Sequence, residues 1–179
     1  MSTWLERLLL STDPQKNRKG MEHIRSTISE PSRRSLAGAL ARHGALVEAL
    51  EQIQPMPWPS DLSRWFACAC AQAALDIRST RHQVEPFCSI ALHRTEEVAR
   101  GNLSVDELDG AAFMARSSIS SGVGLAAEVV LAACALDAKQ GAIAAAHRLR
   151  LLGQEYQVTS DVAAPPALRQ TLLTLIAAV

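Results

Sequence analysis

Aromatic residues are scarce in this 179-residue chain, at 4% of the total. Net charge is absent too, because 18 Lys and Arg balance 18 Asp and Glu. Few aromatics and abundant alanine suit close-packed helices better than a β-sandwich. Balanced charge argues against whole-surface attraction to nucleic acid or to an anionic membrane. No long run is free of charge: the most apolar one, 122–136, contains Glu128 and is too short for a membrane span. The opening MSTWLERLLLSTD carries charges inside its short apolar patch, so no secretory leader is expected. The four cysteines, Cys68, Cys70, Cys88 and Cys134, all lie in apolar helical contexts. That suits reduced thiols in a cytoplasmic protein, not a disulfide framework.

Complete catalytic and metal motifs are also missing. Cys68 and Cys70 are two residues apart, so on a helix they turn about 200° away from each other and cannot share one ion. No second Cys/His pair stands at zinc-ligand spacing. The Ser/Gly run at 117–124 lacks the lysine of a phosphate-binding loop and reads as a joint. No Gly-x-Ser-x-Gly elbow is present. No enzyme, cofactor or metal site is therefore expected.

What the chain does contain is helix. The stretch Arg64 to Leu75 has five alanines among twelve residues, with no Gly, Pro or β-branched residue. On a helical wheel Asp61, Arg64, Cys68, Gln72 and Asp76 form one narrow polar stripe, and nearly everything else is apolar. Such a helix needs neighbours on several sides, so it reads as the centre. The stripe predicts that Cys70 is buried, Cys68 less so, and that Trp65 and Phe66 supply bulk to the core. Ser60 or Asp61 can cap it.

Other helices follow in order. Thr3 to Glu6 is a capping box, and Asp13-Pro14 opens a second helix with Met21, Ile24 and Ile28 on one face. A third is expected from Ser32 to about Ile53, with Leu36, Leu40, Val47, Leu50 and Ile53 on its apolar stripe and His43 packed among them. The prolines of 54–60 make an extended connector pinned by Trp58. After the central helix, Pro86 starts another, with Phe87, Ile90, Ala91 and Val98 inward and Gly101 as the C′ residue. Ser104 to Glu107 is a second capping box. Leu125 to Leu136 is a second near-apolar helix and the natural partner of the first. Further segments carry Ile143, Leu149 and Leu152, then a loop at 160–166, then a terminal helix with Leu168, Leu172, Leu175 and Ile176. The expectation is an all-α, compact bundle of about nine helices around two Ala-rich central ones. Its organisation is an N-terminal arm at 1–53, the connector, and a core at 61–179, together forming one unit.

Two sets of residues merit weight as sites. Residues 1–42 hold eight basic residues against four acidic ones. Lys16, Arg18, Lys19, Arg33 and Arg34 are the candidates for contact with nucleic acid or an acidic partner, although a solvated face explains them as well. Glu128 is a lone carboxylate in an apolar helix, and His147 is flanked by alanines. Each reads as an exposed edge or as a buried group with a perturbed pKa.

The run Arg64-Trp65-Phe66-Ala67-Cys68-Ala69-Cys70, then Glu96 to Gly101, then Ser104 to Leu108, resembles a group of bacterial all-helical proteins. These include immunity proteins of polymorphic toxin systems. The resemblance covers roughly residues 62–150. The Ser/Gly run and the basic arm depart from it. It implies a non-enzymatic protein-interaction module that binds and occludes a toxin. The competing expectation is a nucleic-acid-associated helical subunit of a bacterial defence complex.

Overall fold

The computed structural model describes residues 29–80, 86–119 and 124–179. Among them all regular structure is helical: α1 (Glu30–Arg42), α2 (Leu46–Ile53), α3 (Ser60–Ser79), α4 (Pro86–Ala99), α5 (Glu107–Ser118), α6 (Leu125–Ala133), α7 (Ala138–Tyr156), α8 (Ser160–Ala163) and α9 (Pro166–Ala178). The two helices expected before residue 29 lie outside the described residues.

The central stretch is α3, 20 residues long. It packs against α4, α6, α7, α8 and α9, most extensively against α7. Small side chains make this possible. Ala67, Cys70, Ala71 and Ala74 are all fully buried, so neighbouring backbones come close. The same economy of side-chain volume recurs where α7 crosses α6. A Cβ on Gly141 would sit 2.7 Å from the Ala132 carbonyl oxygen, so only glycine permits this approach. The second near-apolar helix, α6, packs on α3 as expected, and on α7 more fully still.

The polar stripe of α3 is divided. Asp61, Gln72 and Asp76 are exposed, and the Gln72 side chain donates to Asp76 at 2.8 Å. Arg64 and Cys68 are instead buried, at 6% and 1% exposure, which overturns the expectation of a more open Cys68. The cause is the end of α6. The Arg64 guanidinium donates to the carbonyls of Ala135 at 2.8 Å and Leu136 at 3.2 Å, with a longer contact to Ala133 at 3.4 Å. These are carbonyls at and just past the end of a helix, short of partners and at its negative pole. Trp65, expected in the core, is only half-buried and lies beneath the Arg100 guanidinium, 5.2 Å from the ring centroid. Phe66 is fully buried. Pro59, not Ser60 or Asp61, occupies the N-cap position of α3.

The expected helix from Ser32 to Ile53 is two helices. It begins earlier, at Glu30, with Pro31 in the first turn, where its missing N–H is no loss. It breaks at Gly44, whose φ of +75° starts a Schellman turn: Gly44 N–H donates to Ala41 O, and Ala45 N–H to Leu40 O. The break turns His43 out to solvent, contrary to its expected packing. Gly101 is the C′ residue of α4 as anticipated, with φ +77° and bonds from Gly101 N–H to Val98 O and Asn102 N–H to Glu97 O. The third such ending is unexpected. Gln157 closes α7 in the left-handed region at φ 52°.

The connector at 54–59 is held from two sides. Trp58 Nε1 donates to Ile53 O at 2.8 Å, and Lys139 Nζ donates to the carbonyls of Gln54 and Met56. Residues on both sides of it contribute to a single hydrophobic cluster, from Leu36 and Leu50 through Phe66 to Leu172 and Val179. Helix α9 closes the bundle against α1 and α3. Its Arg169 donates to Arg42 O at 3.1 Å and Ala164 O at 2.6 Å, and pairs with Asp161. The segment expected as a loop from 160 contains the single turn α8. No helix of the described residues is long and apolar enough to cross a membrane.

Candidate functional site

Helices α4 and α5 form a hairpin across the turn at 100–106. Their register is set near its closed end. Arg94 Nη1 pairs with Glu107 at 2.9 Å, and the same nitrogen would lie 3.8 Å from a Cβ on Gly110. The hairpin carries Phe87 and Ile90 on α4 and Phe113 on α5. All three are open to solvent, at 47% for Phe87, 44% for Ile90 and 69% for Phe113. Phe87 and Ile90, expected inward, are therefore outward, while Ala91 and Val98 are buried as expected. Cys88, Leu92 and Thr95 fill the inner face instead. Large apolar side chains open to solvent beside a filled inner face are unusual on a helical bundle.

Glu107 opens α5, but its capping box forms incompletely. The Ser104 hydroxyl accepts from Asp106 N–H at 3.4 Å, and the Glu107 carboxylate turns to Arg94. The C-terminal end of α4 is dense in polar bonds. Glu97 accepts from Arg100 and from Asn102 at 2.8 Å, and these two bonds hold its carboxyl below the usual range.

The sites anticipated from the sequence do not converge. Lys16, Arg18 and Lys19 lie outside the described residues. On α1, Arg33 is half-buried and Arg34 exposed. Glu128 is half-exposed and pairs with Arg148 at 3.4 Å, on the wall of a groove of about 650 Å³ between α5, α6 and α7. His147 lines a separate recess of about 90 Å³ with Leu50, Gln54 and Ile143. Burial, followed by the charge of Arg150, pushes the His147 pKa down. Glu128 and His147 thus belong to different recesses and build no shared site.

A further cavity, of about 390 Å³, lies between α2, α7 and α8. Its floor is apolar and buried (Leu46, Val47, Leu149, Ala164), and Glu48 and Arg150 pair at its mouth at 3.2 Å. Nothing in the sequence links these two residues, which are 102 positions apart.

The four thiols are buried and none is in a disulfide. Burial pushes the Cys68, Cys70 and Cys134 thiols up, so these three are not poised as thiolate nucleophiles. Cys134 lies 3.2 Å from the Thr95 hydroxyl, inside the core. Among the described residues no three His, Cys, Asp or Glu side chains come together to hold a metal ion. Compared with known protein families, curated proteins and solved structures, the chain matches none.

Proposed function

We propose that the protein is a non-enzymatic helical interaction module of the cytoplasm, an immunity protein that binds a toxin and occludes it. The observation that carries this reading is the α4–α5 face. Three large apolar side chains stand out from one helical hairpin, where a monomer gains nothing by exposing them. Aromatic residues dominate binding energy at protein interfaces, and Phe113 and Phe87 are two of only three phenylalanines in the chain. The hairpin is also rigidly built, with a glycine turn and paired charges at its closed end, so binding it requires little ordering. The resemblance of residues 62–150 to immunity proteins includes this hairpin.

The test is co-purification with the product of the adjacent gene. A retained complex is expected, with loss of retention in Phe113→Asp and Ile90→Asp. Retention unchanged by both substitutions, or a pure protein that turns over a substrate and retains no neighbour product, defeats the proposal.

A further inference from the structure

The cavity between α2, α7 and α8 lies apart from the α4–α5 face and is built differently. Its volume, about 390 Å³, falls within the range of roughly 300–1,000 Å³ common to small-molecule sites. Its depth is apolar: Leu46, Val47, Leu149 and Ala164 are all buried. Its mouth carries one charge of each sign. Arg150 is half-exposed and touches Glu48 through one nitrogen, at 3.2 Å. A guanidinium has five N–H donors and a carboxylate two acceptor oxygens, so a single contact leaves most of this capacity unused. Arg150 makes no other bond to the described residues. An exposed ion pair of this kind contributes little to stability and is readily exchanged for other partners.

We propose that this cavity binds a free α-amino acid with an aliphatic side chain, its carboxylate on Arg150, its ammonium on Glu48 and its side chain on the apolar floor. The two charges at the mouth select the zwitterion. An aliphatic acid alone places a second anion beside Glu48, and an aliphatic amine alone places a second cation beside Arg150. Only a ligand bearing both charges next to one apolar chain satisfies mouth and floor together. A peptide is excluded by the same logic, because its linkage removes one of the two charges. The site is independent of toxin binding, since it shares no residue with the α4–α5 hairpin.

Calorimetric titration of the full chain at low ionic strength with L-leucine, 4-methylpentanoate and 3-methylbutylamine tests this. L-leucine should bind saturably, and the acid and the amine should each bind at least about tenfold more weakly. Glu48→Gln and Arg150→Gln, both at the solvent-facing mouth, should each weaken leucine binding by about fivefold or more while leaving the fold intact. Amide resonances of Val47 and Leu149 should shift on titration, which locates the ligand. The proposal is overturned if leucine shows no saturation by about 10 mM, if the acid binds as well as the amino acid, or if neither variant alters binding. Retention of the neighbouring gene product by the same two variants should be unchanged, which separates this result from the fate of the toxin-binding proposal.

Discussion

The Lys139 ammonium lies over the Trp58 ring, 5.2 Å from its centroid, while donating to Gln54 O at 2.6 Å and Met56 O at 3.0 Å. One side chain from the first turn of α7 thereby fixes a connector that has three prolines and few N–H groups of its own. Lys139→Met keeps the aliphatic stem and loses all three interactions. Stability should fall by about 1–2 kcal/mol, read as a lower denaturant midpoint at unchanged slope. An unchanged midpoint would mean that Trp58 alone holds the connector.

Arg64→Met should cost more, about 2–4 kcal/mol. Its partners are main-chain carbonyls, which no compensating substitution removes. The Ala133 carbonyl is buried and those of Ala135 and Leu136 partly so, and a buried acceptor left without a donor retains its desolvation penalty. Equilibrium unfolding in urea measures this, and a loss below about 1 kcal/mol would show that water replaces the guanidinium at no cost.

Two glycines inside helices should respond with opposite signs. Alanine is ordinarily the better helix former by about 1 kcal/mol. At Gly110 a new Cβ meets only the tip of Arg94, 3.8 Å away, so Gly110→Ala should stabilise. At Gly141 it meets the Ala132 carbonyl oxygen at 2.7 Å, which is backbone and cannot swing aside. Gly141→Ala should destabilise by about 1–3 kcal/mol. Thermal melts of the pair decide, and a stabilising Gly141→Ala would mean that α6 and α7 can slide apart freely.

Gln157 is the described non-glycine residue with positive φ. Gln157→Gly should stabilise by about 0.5–1 kcal/mol, the relief of left-handed strain less the added freedom of the unfolded chain. A lower melting temperature would refute this.

How much of this was legible beforehand depends on where each partner sits in the sequence. The all-helical class, the central helix, the connector and the Gly101 ending all rest on local signals: alanine runs, alternating prolines, a glycine after a periodic segment. Gly44 carried the same signal as Gly101, but the apolar period resumes at Val47 in nearly the same phase, which masked the break. A helical wheel assigns arginine, and the Cys68 beside it on the stripe, to water. Arg64 is buried against carbonyls 69 to 72 residues away, and a backbone acceptor leaves no mark in sequence. Sequence alone points Phe87 and Ile90 inward because apolar residues default to the core. Nothing local shows that Cys88, Leu92 and Thr95 already fill it.

His147 supplies a pH dependence. Its folded pKa is depressed by burial, and secondarily by Arg150, so folding favours the neutral ring. Its contribution is fully present above the unfolded value of about 6.5 and is lost as pH falls toward the lower folded value. His147→Gln should flatten the stability profile over that window. A wild-type midpoint that rises as pH drops below 6.5, with the rise abolished in His147→Gln, would reverse the sign and count against a depressed pKa.

The grip of Arg64 on the end of α6 also bears on how the molecule opens. The guanidinium keeps its proton at any ordinary pH. Parting α3 from α6 would take the guanidinium off all three carbonyls together and leave these acceptors without their donor. Partial opening at this seam is therefore disfavoured, and the two helices should come apart in one step. Their slowest amide hydrogens should exchange with deuterium at a common free energy, equal to that of global unfolding.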